Sequence, residues 1–409
     1  MESNGMEGMC MDKEPSALAA LARADEELDA WVLALRRELH RRPEVAGEEG
    51  ETRAALLRWL AELGLEAGPC GEGFGVVALI RGALPGPTLA LRADMDALPV
   101  EEPTGEAFRS ERPGAMHACG HDAHMAIQLG VARLLRHHRE RMRGNIKLLF
   151  EPSEETRGGI RGMMTAGCLE NPHVDAALAL HVSPKRPCGQ AEIHGGLVSG
   201  ASEDVRIIVR GRAGHGAYPE QAVDAVVLAA HVITALQAVI SREVSPLDSA
   251  VLSLGCIRGG TAENVICGEV EVRGTLRALE LRTIERLKRR IAEVTAGVCS
   301  ALGGVGEVAY HDGYPSIHNN FELASRAQEA ARAALGEEAV RSDGVPSLGV
   351  DSFSFLSARL PGVYWAMGCG VGPPLHASGF RVDEACLPLA VRAQACIAWE
   401  LLAGLAKNL

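Results

Sequence analysis

The sequence predicts an α/β fold with a mainly parallel sheet, interrupted by an inserted α+β unit of ferredoxin-like order. Three observations carry this. Short apolar runs alternate with amphipathic segments over residues 16–201, and the pattern resumes after 312. Between 202 and 311 the order becomes strand–helix–strand–strand–helix–strand, a self-contained arrangement of about a hundred residues. At 409 residues the chain exceeds the size at which one hydrophobic core keeps growing, so two units are expected. Residues 1–15 read as a disordered leader, 16–201 and 312–409 as two parts of one domain, and 202–311 as the insertion.

Leucines at helical spacing predict a helix over 16–40, stopped by Arg41-Arg42-Pro43, and a second over 50–63, ended by Gly64. Strands are expected at 75–80 and 88–91, the latter running into Arg92-Ala93-Asp94-Met95-Asp96. A helix over 121–138, a strand at 145–150, a helix over 158–166 and a strand at 175–180 follow. In the insertion, strands are expected at 204–210, 249–257, 265–276 and 306–310, with helices over 220–241 and 280–302. A helix over 320–335, a strand near 362–367 and a closing helix over 386–405 complete the pattern.

Hydrophobic content of 47% and 23% charged residues suit a soluble globular protein. The net charge of -12 argues against nucleic acid or an anionic membrane surface as partner. The longest apolar run, 222–240, is broken by Asp224, His231 and Gln237 and reads as a buried amphipathic helix rather than a membrane span. Eleven scattered cysteines form no disulfide framework and point to reduced thiols in the cytoplasm. Cys256, Cys299 and Cys396 lie in apolar runs and are expected to be small core residues.

The chemistry concentrates in Met116-His117-Ala118-Cys119-Gly120-His121-Asp122-Ala123-His124. Thiolate and neutral imidazole are the preferred ligands of zinc-like ions, and glycine lets the flanking side chains turn to one centre. Downstream come Glu154-Glu155 after a strand, His181 at a strand end and His376. Cys119, His121, Glu155, His181 and His376 make five candidate ligands, more than a tetrahedral structural site uses; two divalent ions sharing a bridging ligand account for the excess. His124, three residues from His121, is expected to support the ligands, and His137 and His138 to be a solvated helix end. Beside the ligand Glu155, Glu154 suits a general acid–base. Asp94, Asp96, Glu154, Glu155 and His181 all fall beyond expected strand ends, where ligands gather in such folds. In the insertion, the loop Gly211–Pro219 presents His215 as a polarising donor, and Asn264 and Arg277 are candidate substrate contacts or plain strand-end polars.

Residues 36–400 resemble the aminoacylase, auxin-conjugate hydrolase and hippurate hydrolase family of dimetal amidohydrolases, of the M20 peptidase type, which includes N-acetyldiaminopimelate deacetylases. The matching runs are Arg37–Glu44, Arg92–Pro99, the Cys119 cluster, Glu151–Glu155, Ala179–His181, Gly214-His215, Asn264–Ile266 with Gly274–Arg277, and Leu375-His376. The resemblance implies a dimetal hydrolase domain carrying a lid and dimerisation domain, with two divalent ions per subunit (Zn, Mn, Co or Ni) on the five ligands. It implies Glu154 as acid–base, with Asp96 and His215 as further catalytic groups, and His215 acting across the interface of a homodimer or dimer-based oligomer. Cys267 stands where the family usually has Pro, and Val350-Asp351-Ser352-Phe353-Ser354 where it often reads Glu-Asp-Phe-Ser; both bear on the substrate.

The expected activity is metal-dependent hydrolysis of N-acyl-L-amino acids to a carboxylate and a free amino acid. The alternatives are an N-acetyldiaminopimelate deacetylase, a metallo-carboxypeptidase, a thiol hydrolase using Cys119 and His121, or a non-catalytic binder of acyl-amino acids on the same scaffold.

Overall fold

The computed structural model describes residues 17–103 and 107–407, so the leader expected over 1–15 lies outside the described residues. The main sheet has eight strands: β1 (Glu66–Pro69), β2 (Val76–Arg81), β3 (Leu84–Asp94), β4 (Arg143–Glu151), β5 (Ala176–Ser183), β6 (Ala191–Glu192), β15 (Val340–Arg341) and β16 (Gly362–Gly368). Their order across the sheet is β1-β2-β4-β3-β5-β16-β6-β15. The centre, β4-β3-β5-β16, is parallel, whereas β1 and β2 add an antiparallel edge. Strands buried on both faces read as continuous apolar runs, which is why Leu89, Ala90 and Leu91 have no solvent exposure.

The helices of this layer are α1 (Ala17–Leu21), α2 (Glu26–Arg41), α3 (Gly50–Glu62), α4 (His121–His137), α5 (Glu154–Arg157), α6 (Ile160–Thr165), α9 (Phe321–Leu335), α10 (Phe353–Ser357) and α11 (Cys386–Leu405). The helix expected over 16–40 is therefore two. Asp25 caps α2 by accepting from the amides of Glu27 and Leu28, and ends the continuity that the leucine spacing suggested. The helix expected over 158–166 is α6, and the one-turn α5 just before it, starting at Glu154, was not expected. β1, β6 and β15 were not legible, being too short to show a period.

The second sheet holds β8 (Ala201–Arg210), β10 (Ala250–Gly259), β12 (Glu269–Ala278) and β13 (Val305–Tyr314), all antiparallel, in the order β10-β12-β8-β13. This is the ferredoxin-like order, backed by α7 (Ala225–Glu243) and α8 (Leu281–Ala301). Its core, built on Val205, Ile207, Leu228, Leu236, Leu276 and Leu287, is separate from that of the main sheet. Two short pairs complete the chain: β7 (Gly196–Ser199) with β14 (Ile317–Asn319), and β9 (Gly214–His215) with β11 (Val265–Ile266). The strand expected over 265–276 is thus split into β11 and β12.

One expectation needs correction here, and one is met. α7 is amphipathic as expected: it buries one face and leaves Val226 and Val227 about half exposed, because it covers the outside of a two-layer unit. Cys256 is exposed on the edge strand β10, unlike the fully buried Cys299 and Cys396. α7 and α11 are long and apolar enough to cross a membrane by length and composition; two-thirds of the apolar window of α11 is buried in the protein.

Candidate metal centre

The candidate residues meet at the carboxyl ends of β3, β4 and β5. Side chains alternate along β3, so Arg92 and Asp94 share one face, and Asp96 follows just beyond the strand. The turn before α4 then places Cys119 and His121. Gly120 between them has φ 86°, and a Cβ there would lie 2.5 Å from the Val182 side chain, so this close, left-handed step requires glycine. β4 ends at Glu151, Ser153 adopts φ 54°, and α5 opens with Glu154 and Glu155. The buried Glu49 fixes this bend by accepting from the Ser153 amide (2.7 Å) and hydroxyl (3.1 Å). His181 lies within β5 rather than beyond it. His376 has φ 68°, an uncommon conformation for a non-glycine residue, and its amide donates to the Ala118 carbonyl at 2.9 Å. That bond ties the His376 loop to the Cys119 turn.

These placements bring all five candidate ligands together. Glu155 Oε1 is 3.1 Å from His376 Nε2 and 3.8 Å from His121 Nε2, and Cys119 Sγ is 3.5 Å from His181 Nε2. The ligand atoms of Cys119, His121 and Glu155 all lie within 4.8 Å of one another, as do those of Asp94, His121, His124 and His181. Backbone acceptors set the ring faces. His121 Nδ1 donates to the Asp96 carbonyl (2.9 Å) and His181 Nδ1 to the Val182 carbonyl (2.7 Å), so both turn Nε2 toward the cluster. His124 is committed on both nitrogens, donating to Asp94 Oδ1 (2.6 Å) and accepting from the Val182 amide (2.9 Å). It therefore orients Asp94 and β5 instead of offering a free lone pair.

Asp96, expected as a catalytic group, accepts from the Glu155 amide (3.0 Å) through its carboxylate while its carbonyl accepts from His121 Nδ1. Glu154 accepts from the Ser352 amide at 3.0 Å. Burial, then the neighbouring Asp351 carboxylate, pushes Glu154 well above the usual carboxylate range. Burial acts on Glu155 in the same direction, but the hydrogen bond from His376 and the His121 charge outweigh it and hold Glu155 at about 2. Burial lowers His181 to about 4, leaving a neutral imidazole at physiological pH. Adjacent glutamates thus differ in proton affinity.

Several residues of the site carry no local sequence signal. Arg92 is fully buried and binds Glu151 (2.6 Å), Asp94 (2.7 Å) and Asp351 (3.3 Å), while its other nitrogen donates to Ser352 Oγ (2.8 Å). Ser352 in turn donates to Glu151 Oε1 at 2.7 Å. Asp351 and Ser352 lie in the stretch that departs from the family pattern, and they support Glu154 and Arg92. Tyr364 donates to Asp351 Oδ2 (3.0 Å), and Tyr314 to the Glu154 carbonyl (3.1 Å).

The residues expected from the insertion are not in the cluster. His215 is exposed on β9, with Nδ1 accepting from the Ala217 amide at 3.0 Å. Asn264 is exposed and its carbonyl accepts from Gly216. Arg277 donates to the Leu348 carbonyl at 2.9 Å, a link between β12 and the 345–350 loop. His137 and His138 form the outer end of α4, as expected.

The donor set suits a cation. Glu155 Oε1, which His376 Nε2 approaches at 3.1 Å, faces His121 Nε2, which is buried without a hydrogen-bond partner. A buried acceptor left so costs about 1–3 kcal/mol, which coordination to a divalent ion would remove. Thiolate, imidazole and carboxylate together suit zinc-like ions, so the residues fit.

The family model described as peptidase family M20/M25/M40 matches residues 90–400. The chain belongs to this family. Among M20 relatives, it is 40% identical over 372 residues to a protein of Synechocystis sp. named a probable hydrolase, covering 90% of this chain and 94% of that one. It is 33% identical over 368 residues to the N-acetylcysteine deacetylase of Bacillus subtilis, covering 90% and 96%. The crystal structure of the Bacillus subtilis YXEP protein, a dinuclear metal-binding peptidase from the M20 family, matches with TM-score 0.81 and 30% identity over 93% of this chain and 99% of that one.

Proposed function

We propose that this M20 chain is a metal-dependent amidohydrolase that cleaves N-acyl-L-amino acids to a carboxylate and a free amino acid. The observation that carries the reading is the convergence of Cys119, His121, Glu155, His181 and His376 on one buried cluster, in which His121 Nε2 has no hydrogen-bond partner and faces Glu155 Oε1. These five residues would hold two divalent ions, Zn, Mn, Co or Ni. When bound, such a pair supplies an activated water and polarises the amide carbonyl. Glu154 takes the proton from the attacking water and returns it to the leaving amine; its raised proton affinity suits that exchange. Ser352, through its amide, keeps the carboxylate aimed, and Arg92 holds Ser352. The similarity to a deacetylase of an N-acetylated amino acid supports the substrate class.

Residues 202–311 would serve as lid and dimerisation domain, in a cytoplasmic homodimer or dimer-based oligomer. Two features support this: β10 is an edge strand with Val251 and Ile257 exposed, and α7 exposes Val226 and Val227 beside it. His215, exposed and outside its own cluster, would then serve the partner's site, where it would donate to the developing oxyanion.

Glu154→Gln is expected to retain metal and fold and to lose about 10²–10⁴-fold in turnover of acetyl- and benzoyl-amino acids. Near-normal turnover would remove Glu154 as the base. Mixing inactive Glu154→Gln with inactive His215→Ala should restore part of the activity after subunit exchange. No recovery, or a fully active monomer, would rule out the shared site.

A further inference from the structure

Away from the metal centre, two cysteines converge on one backbone oxygen. Cys70, in the turn after β1, points its thiol at the Met163 carbonyl (3.7 Å). The Cys168 amide donates to that same carbonyl at 3.0 Å, so the loop after α6 brings the second thiol to the first. Both line a cavity of about 320 Å³ at the antiparallel edge of the main sheet, together with Val77, Leu79 and Lys147. Cys70 is half-buried, and Cys168 is 4% exposed.

Lys147 stands in β4 with its ammonium group donating to the carbonyls of Glu170 and Pro172 at 2.7 Å each. Those two bonds anchor the 168–172 loop and fix a positive charge beside the thiols. A hydrogen bond from Cys168, opposed by burial and aided by the Lys147 charge, lowers Cys70 to about 7, while Cys168 is pushed up by the same contact. One thiol is therefore open to solvent and readily ionised, and its neighbour is protonated and enclosed.

We propose that Cys70 and Cys168 form a reversible redox site that reacts with small hydroperoxides, Cys70 being the attacking thiol and Cys168 the resolving one. The Cys70 thiolate attacks the terminal O–O oxygen. The O–O bond breaks, the hydroperoxide leaves as an alcohol (or water, from hydrogen peroxide), and Cys70 becomes a sulfenic acid. The Cys168 thiol then attacks that sulfur, losing its proton as the S–O bond breaks, and water leaves. The two thiols lose two electrons in forming one disulfide, and the hydroperoxide gains them. A dithiol reductant reverses the step. The product would join the turn after β1 to the loop after α6, the segment that follows Glu154 and Glu155.

The test is peptide mapping of the metal-loaded wild-type protein after limited hydrogen peroxide, with the exposed Cys256 as internal reference. The expected result is a linked Cys70–Cys168 peptide pair that forms before Cys256 is oxidised and disappears on dithiothreitol treatment. In Cys168→Ser, Cys70 should stop at the sulfenic acid and be trapped by dimedone; in Cys70→Ser neither product should form. Oxidation of Cys256 ahead of Cys70, or linkage of either cysteine to a different partner in the folded wild-type protein, would overturn the proposal.

Discussion

The two sheets of this protein treat charge in opposite ways. Around the main sheet, Arg36, His40, Glu49, Arg92, Asp94, Asp96, His121, Asp122, Glu151 and Glu154 are all buried. In the four-stranded unit no charged residue among the described ones is fully buried; the ion pairs Arg206–Glu271 and Arg210–Glu269 lie on the surface, and Lys288–Glu203 is half-buried at the edge of an apolar core. Burying ionised groups is expensive unless each is paired and hydrogen-bonded, so a region that does it repeatedly has a use for fixed charge. The other region is built as a scaffold whose distinctive feature is exposed apolar surface.

The comparison predicts unequal responses to substitution. The largest loss of stability should come from Arg92→Met. It leaves Asp94, Glu151 and Asp351 without their shared cation, at a cost of about 3–5 kcal/mol in denaturant unfolding. A cost below about 1 kcal/mol would mean that water or a proton replaces Arg92 easily, and that this charge network is not what holds the strand ends.

A smaller, pH-dependent effect is expected at His40, which contacts Asp122 (2.7 Å) and Glu102 (3.2 Å), with Arg36, His117 and Arg381 nearby. Burial lowers its proton affinity, but the Asp122 charge and the bonds to both carboxylates outweigh this and raise it. A raised folded pKa contributes stability that is complete below the ordinary value of about 6.5 and disappears as pH climbs through the folded value. Asp122 and Glu102 are depressed, so their contribution stays complete across that window. The stability advantage of wild type over His40→Gln should therefore shrink as pH rises from about 6 to 9. The slope is at most about 1.4 kcal/mol per pH unit, the value for one proton taken up on folding. A difference that is constant with pH would show that His40 acts by shape alone. The smallest effect belongs to the second sheet, where Arg206→Ala should leave Tm unchanged within error, since its pairing with Glu271 lies at the surface.

The same contrast explains what the sequence revealed. That these residues would cluster could be read because Cys119-Gly120-His121 and Glu154-Glu155 are local, and because thiol, imidazole and carboxylate have few other reasons to gather. Arg92, Ser352 and Glu49 were invisible as a group. Each looks like an ordinary strand or loop polar, and Arg92 and Asp351 meet across 259 positions. The helices and long strands followed from periodicity, including the ferredoxin-like order of the insertion. What failed were breaks within a pattern, such as Asp25 between α1 and α2, although Asp25-Glu26-Glu27 is itself a helix-start signal. His215 stood out as a histidine on a glycine loop, but its distance from the cluster depends on how the second sheet is carried, which no local pattern encodes.

The most direct measurement is the metal content of the purified protein after dialysis against buffered divalent ion, with turnover of N-acetyl amino acids followed in the same samples. The account predicts two ions per chain in wild type and in Glu154→Gln, fewer in His121→Ala, and turnover only in wild type. A wild-type protein that hydrolyses these substrates with fewer than two ions bound, or that keeps full activity when His121 is replaced, would contradict it.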